Sequence, residues 1–330
     1  MAEPYLSLVL VGRNDNYGGD FKSRLQRCIS NAYARLKDAE IEAEIIFVNY
    51  NPVVENEPIE SFIDWPVSEA KLTVRVITIP PEIHQSLVQS GLRKDVPVLE
   101  YLGKNAGIRR ATGEFILSMN PDIILTKELV KELKSLNKKR YYRADRIDFQ
   151  GDLSADYQFS RVFLKGHDFP ISELKELPSL RFKNNLDNAW KCFTPRISGL
   201  LNRLSKTVYY NQTANCFHCN VSGDFMLMHR DCWKELEGHN EMTFISLHVD
   251  SLMVVQAAQL GLSECVLKNP IYHQEHERRY DATQRKVIFE TAFRFFEEQS
   301  VKMIQQQKPE KYNGEHWGLS KFELPEMKLN

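Results

Sequence analysis

The feature that most narrows the folds open to this chain is a pair of apolar runs, residues 6–11 and 45–48, separated by one amphipathic stretch. Neither run alternates polar with apolar positions, which is the mark of a strand buried on both faces of a parallel sheet. Between them, Leu25, Cys28, Ile29, Ala32 and Leu36 recur at helical spacing within residues 21–37. The reading is a strand–helix–strand unit, which commits the chain to an α/β architecture. The first run leaves through Gly12-Arg13-Asn14-Asp15 and a Gly18-Gly19 turn, the second through Asn49-Tyr50-Asn51-Pro52. Open α/β sheets bind their ligands at such strand exits.

The totals exclude several classes. A formal net charge of −1 over 330 residues gives no global pull toward nucleic acid or anionic membrane. No apolar run approaches the length of a membrane span, and the start, MAEPYLSLVLVGRND, lacks the basic segment of a signal peptide. A cytoplasmic protein is therefore expected, with its six cysteines reduced and the sequons at Asn211 and Asn220 without meaning.

Further along, residues 53–70 read as an acidic, Pro-containing excursion and residues 72–79 as a third strand. Residues 84–92 are weakly patterned, and residues 97–110 form a helix. A short apolar strand at 115–117 then runs into the turn Asn120-Pro121-Asp122. A helix over 127–136 and a strand over 140–147 follow. Residues 161–206 are basic, irregular and interrupted by proline, which suits either a solvated insertion or a lid over an acceptor. A strand at 221–228 leads to a short helix capped by Asp231, and a helix over 250–260 closes at Gly261. A strand at 265–267 is left by Tyr272-His273-Gln274-Glu275-His276. A long helix over 283–306 precedes a tail whose Trp317 reads as packing or as a closing flap. The chain thus divides into a first half, 1–150, an insertion, 151–210, and a second half, 211–330.

Residues 104–125 carry the most specific text: Lys104-Asn105-Ala106-Gly107-Ile108, then Ala111-Thr112-Gly113-Glu114, an apolar strand, and Asn120-Pro121-Asp122. This order resembles the donor site of GT-A glycosyltransferases of the family 2 type, whose Asp-x-Asp is here one carboxylate short. The likeness covers residues 5–125 well and residues 221–276 more loosely. It implies a GT-A (Rossmann-like) fold, one large domain with a mostly parallel sheet between helices. It implies metal-dependent, inverting transfer of one sugar from a nucleotide-sugar donor to a hydroxyl on a glycan, a lipid-linked molecule or a protein. Mn²⁺ or Mg²⁺ would be held by Asp122, with His273 and His276 returning to it after the last strand. Gly12, Arg13, Asn14, Asp15 and Asn49 would hold base and ribose. Lys104, Arg109 and Arg110 would face the diphosphate, Asn105 would belong to the same donor site, and Asn120 would meet the ribose or the ion. Asp250 is the first candidate for general base and Asp224 its rival. The Gln-x-x-Arg-Trp text of processive members is absent, so a single addition is expected, with peripheral membrane association left open.

Other readings stand beside these. Asp122 alone suits a helix cap, and Lys104 and Arg109 suit a solvated helix face. Cys216-x2-Cys219 with His229-x2-Cys232 has ligand types of a structural zinc site. A sugar nucleotidyltransferase shares a related start, and a non-catalytic sugar-binding or scaffold protein would tolerate Asn120 and Val249 where carboxylates are expected.

Overall fold

The computed structural model describes residues 3–89, 96–150, 175–176, 219, 222–241, 246–277 and 282–329. The opening unit forms as read: β1 (Leu6–Gly12), α1 (Phe21–Asp38) and β2 (Ala43–Tyr50). Leu8, Leu10, Ile45 and Phe47 bury one face of the sheet against α1. Val9, Val11, Ile46 and Val48 bury the other, against the layer that contains Ala106 and Ile108. Burial on both sides is why neither strand alternates.

β3 (Leu72–Ile79) extends the sheet parallel to β2, and β4 (Phe115–Met119) lies parallel to β1 on its other side. The excursion before β3 holds a single helical turn, α2 (Ile59–Phe62), and the weakly patterned stretch after it is a helix, α3 (Pro81–Gln89). The helix before β4 is α4 (Glu100–Arg110). Its glycines are what let it lie on the sheet. A Cβ on Gly103 would fall 2.5 Å from Val11, and one on Gly107 2.5 Å from Val9.

After β4 come a two-residue strand, β5 (Ile123–Ile124), and α5 (Lys127–Glu132), capped by Thr126 and shorter than expected. The single strand read over 140–147 is in fact two. β6 (Arg140–Arg143) belongs to the large sheet, with Tyr141 and Tyr142 buried on opposite faces. The chain then crosses at Ala144-Asp145 into a second sheet as β7 (Arg146–Gln150), with β8 at Lys175–Glu176 beyond it. The crossing carries no glycine or proline, the residues that ordinarily mark a break.

The second half completes both sheets. β9 (Phe225–His229) inserts antiparallel between β4 and β6, followed by α6 (Arg230–Leu236). The cap of α6 is His229, whose Nδ1 accepts from the Asp231 amide, rather than Asp231 itself. α7 (Val249–Gln259) leads through Gly261, in the left-handed region, to β10 (Ser263–Val266) on β6. The residues read as leaving a strand form one: β11 (Ile271–Gln274) pairs antiparallel with β5 and parallel with β7. α8 (Ala282–Gln306) buries Ala292, Phe296 and Met303, while Phe295 faces outward. The tail returns to the far edge as β12 (Glu326–Leu329), antiparallel to β3.

The large sheet therefore runs β10-β6-β9-β4-β1-β2-β3-β12, a mostly parallel sheet flanked by helices, and the small one β5-β11-β7-β8. Strands from both halves of the sequence hydrogen-bond in each sheet. Apart from Lys175–Glu176, the expected insertion or lid over 151–210 lies outside the described residues. Among the described residues no helix is long and apolar enough to cross a membrane.

Candidate metal centre

Parallel strands β1, β2 and β4 end on the same side of the large sheet, and the turn that leaves β4 carries Asp122. The small sheet sets what meets it. In register, His273 of β11 stands opposite Ile123, the neighbour of Asp122, and His276 lies two residues beyond the strand's end. His276 Nε2 is 3.2 Å and His273 Nε2 3.6 Å from Asp122 Oδ2. The Asp122 backbone is fixed too, since the Gln274 amide donates to its carbonyl at 3.0 Å. The other carboxylate oxygen, Oδ1, is buried without a hydrogen-bond partner. Three side chains from two segments far apart in sequence thus turn ligand atoms toward one point.

The electrostatics follow from burial and company. Burial alone would raise the Asp122 carboxyl, but the His273 and His276 imidazoles beside it more than offset it and hold the group well below the usual carboxylate range. Burial alone would depress His273; Asp122, Asp148 and Glu275 around it instead push it up to about 11. Asp148 Oδ1 lies 2.9 Å and Glu275 Oε2 3.6 Å from His273 Nδ1.

The turn after β1 covers this point. The Tyr17 ring meets His276 edge-on at 5.2 Å, and a Cβ on Gly18 (φ +68°) would fall 2.7 Å from His276 Nδ1. Arg24 of α1 holds the turn by donating to the Tyr17 carbonyl at 2.6 Å.

A chain of polar contacts leads away from the centre. Arg146 places Nε 2.9 Å from Asp148 Oδ1 and donates through Nη1 to Asp224 Oδ2 at 2.7 Å. Asn120 Nδ2 donates to Asp224 Oδ1 at 2.7 Å, and Lys104 Nζ donates to Asn120 Oδ1 at 2.6 Å. Asp224 therefore has both oxygens engaged. Asp250 Oδ2 accepts from Ser222 Oγ at 2.9 Å and from the Gly223 amide at 2.6 Å, holding the turn that enters β9.

The residues expected at the diphosphate, and Asn105 of the donor site with them, are used elsewhere; Arg110 donates to the Gly318, Leu319 and Phe322 carbonyls. Lys104 is fully buried and bonded to Glu100, Asn120 and the Gly223 carbonyl. Asn105 is also fully buried; it donates to the His239 carbonyl and Glu241 and accepts from the His239 amide. Arg109 donates to the Trp317 carbonyl and stacks 5.0 Å over its ring, so Trp317 packs the tail. Asn120 meets Lys104 and Asp224 rather than Asp122's free oxygen.

At the first-strand exits, Gly12 leaves room for Phe21 and Phe47. Arg13 donates to the Asn51 carbonyl at 2.6 Å, and Asp15 accepts from the Tyr17 amide. Asn14 is spent on the loop, bonding Val53 and Glu57. Asn49, at the end of β2, is buried with its Oδ1 unpartnered. The zinc reading does not hold among the described residues. Cys219 Sγ donates to Ser251 and Cys232 Sγ to Lys138, and neither belongs to a group able to hold an ion; Cys216 lies outside them.

The sequence reading missed Arg24, Arg146 and Asp148. The last two were hidden by the unpunctuated crossing between sheets; Arg24 looked like one more base on an amphipathic helix.

No protein-family model matches the chain, and no curated protein matches it. Among solved structures it is similar to the catalytic domain of Drosophila β1,4-galactosyltransferase 7 in complex with xylobiose, at 10% identity and a TM-score of 0.40, over 86% of this chain and 79% of that one. It is also similar to GalNAc-T7 with UDP, GalNAc and Mn²⁺, at 13% identity and a TM-score of 0.42, over 93% of this chain and 59% of that one.

Proposed function

We propose that this chain is a metal-dependent glycosyltransferase that moves one sugar from a nucleotide-sugar donor to a hydroxyl acceptor. One observation carries the reading: Asp122, with a buried unpartnered oxygen, meets two imidazole nitrogens at the carboxyl end of the parallel strands. The residues fit a divalent ion, and Asp122, His273 and His276 would hold it. A donor set of two nitrogens and one oxygen suits Mn²⁺ better than Mg²⁺, which prefers oxygen throughout. Such an ion supplies Lewis acidity to the departing diphosphate.

The protein's own groups do the rest. Asn49 offers its unpartnered oxygen to a ring N–H of the base, and Arg13 and Asp15 frame the first-strand exit beside it. Asp250 keeps one oxygen clear of its bonds to Ser222 and Gly223, so it ranks above Asp224 as the base that takes the acceptor proton in a direct, inverting displacement. The full engagement of Asp224 also gives weight to a second reading, a protein that binds nucleotide sugars without turning them over.

The test is hydrolysis and binding of a panel of nucleotide sugars with Mn²⁺ titrated in. Ion-dependent cleavage that Asp122→Ala abolishes supports the transferase. Binding without cleavage supports the second reading. Pyrophosphate release from a nucleoside triphosphate would mean nucleotidyl transfer instead.

A further inference from the structure

Building on the metal reading above, we propose that Asp148 is a positioning residue for the cation: its carboxylate, 2.9 Å from His273 Nδ1 but not aligned as a hydrogen bond in the ion-free centre, takes the Nδ1 proton as partner when an ion binds and so presents Nε2 of the same ring to that ion. The register builds this arrangement. Ile123, His273 and Asp148 stand in one row across β5, β11 and β7, because His273 pairs with Ile123 on one side and with Asp148 on the other. The ring is buried, and its two nitrogens face opposite ways. Nε2 is turned to Asp122 Oδ2 at 3.6 Å and Nδ1 to Asp148 Oδ1 at 2.9 Å, with Glu275 Oε2 a further 3.6 Å contact.

The side chains around His273 also form a second group able to hold an ion: Asp148, His273 and Glu275. Two ions, one on each nitrogen, would require the ring to lose both protons. They would also place a divalent charge beside Arg146, whose Nε is 2.9 Å from Asp148 Oδ1 and whose Nη2 donates to Oδ2 at 3.3 Å. A guanidinium already matched to that carboxylate disfavours a cation there. One ion on Nε2, with Asp148 on the far nitrogen, leaves the ring one proton and puts no second divalent charge beside Arg146. Carboxylates behind ligating histidines fix ring orientation, and their loss costs about 10–100-fold in metal affinity.

The experiment is Mn²⁺ affinity and ion count for the wild type, Asp148→Asn and Asp148→Ala, with unfolding in chelator as the control for the fold. The wild type should bind one ion. Asp148→Asn keeps an acceptor oxygen and should bind more weakly. Asp148→Ala should bind weakest, about 10–100-fold below the wild type. Equal affinity in all three overturns the proposal and leaves the metal centre standing. A wild type that binds no Mn²⁺ overturns the metal reading itself, and two ions per chain overturns the positioning role. Should the variants fail to fold, ¹⁵N spectra of the wild-type imidazoles, titrated with diamagnetic Zn²⁺, decide. The His273 signal, identified by its loss in His273→Gln, should report a proton on Nδ1 and an ion on Nε2. The opposite assignment sinks the idea.

Discussion

Lys104 Nζ lies 2.6 Å from Asn120 Oδ1, in the interior of the protein, and the amide's other end donates to Asp224 Oδ1 at 2.7 Å. Position 120 thus needs an acceptor toward Lys104 and a donor toward Asp224. An amide supplies both and a carboxylate does not. That is a physical reason for Asn-Pro-Asp in place of a paired-carboxylate motif.

Asn120→Asp should therefore destabilise the protein rather than improve ion binding. The new carboxylate would sit against Asp224 at hydrogen-bond distance, and the lost donor would leave an oxygen of Asp224 short of a partner. The expected cost is about 1–3 kcal/mol, read by denaturant unfolding, with Mn²⁺ affinity no better than that of the wild type.

Arg109→Ala should loosen the tail and leave nucleotide binding intact. It removes a hydrogen bond to the Trp317 carbonyl and a cation stacked on that ring. A loss of about 1–2 kcal/mol is expected, with faster proteolysis of the tail. A large fall in nucleotide affinity with the tail still protected would return Arg109 to the donor.

Acid and base should each destabilise the ion-free centre, from opposite ends of the pH scale. Burial would raise Asp122, but the two histidines hold it depressed, so its contribution is present above the unfolded carboxyl value and lost as pH falls below it. Burial would lower His273, but its three carboxylates raise it to about 11. Its contribution is therefore complete below an unfolded value of about 6.5 and fades as pH climbs toward 11. Without metal, unfolding free energy from these groups should peak between roughly pH 4 and 6.5. Binding Mn²⁺ requires a proton to leave His273, so affinity should rise with pH through neutrality, with proton release visible as a buffer-dependent heat.

Gly107→Ala tests how α4 rests on the sheet. The added methyl would fall 2.5 Å from Val9, so helix and strand must separate, at about 1–3 kcal/mol. Unfolding close to wild type would show that α4 sits higher than described.

The sequence made the opening unit legible because burial on both faces leaves an unmistakable pattern, and β3 was readable to the residue. Asp122, His273 and His276 were findable because each follows a recognisable apolar run or sits in a dense polar cluster. What stayed hidden was a matter of facing. Residues Tyr101 to Ile108 of α4 are all buried, so the helix has little polar side from which to judge Lys104 and Asn105. Lys104 read as a diphosphate contact or a solvated group and Asn105 as part of the donor site, and both proved to be interior ties. Arg146 and Asp148 escaped because nothing between Tyr142 and Ile147 announces a change of sheet.

β12 lies along the outer edge of β3 and bonds its backbone. An uncovered eight-residue strand offers another molecule a row of free amides and carbonyls, the usual route to strand-to-strand aggregation. Residues Glu326 to Leu329 thus act as a guard on that edge: without them β3 would present an adhesive rim.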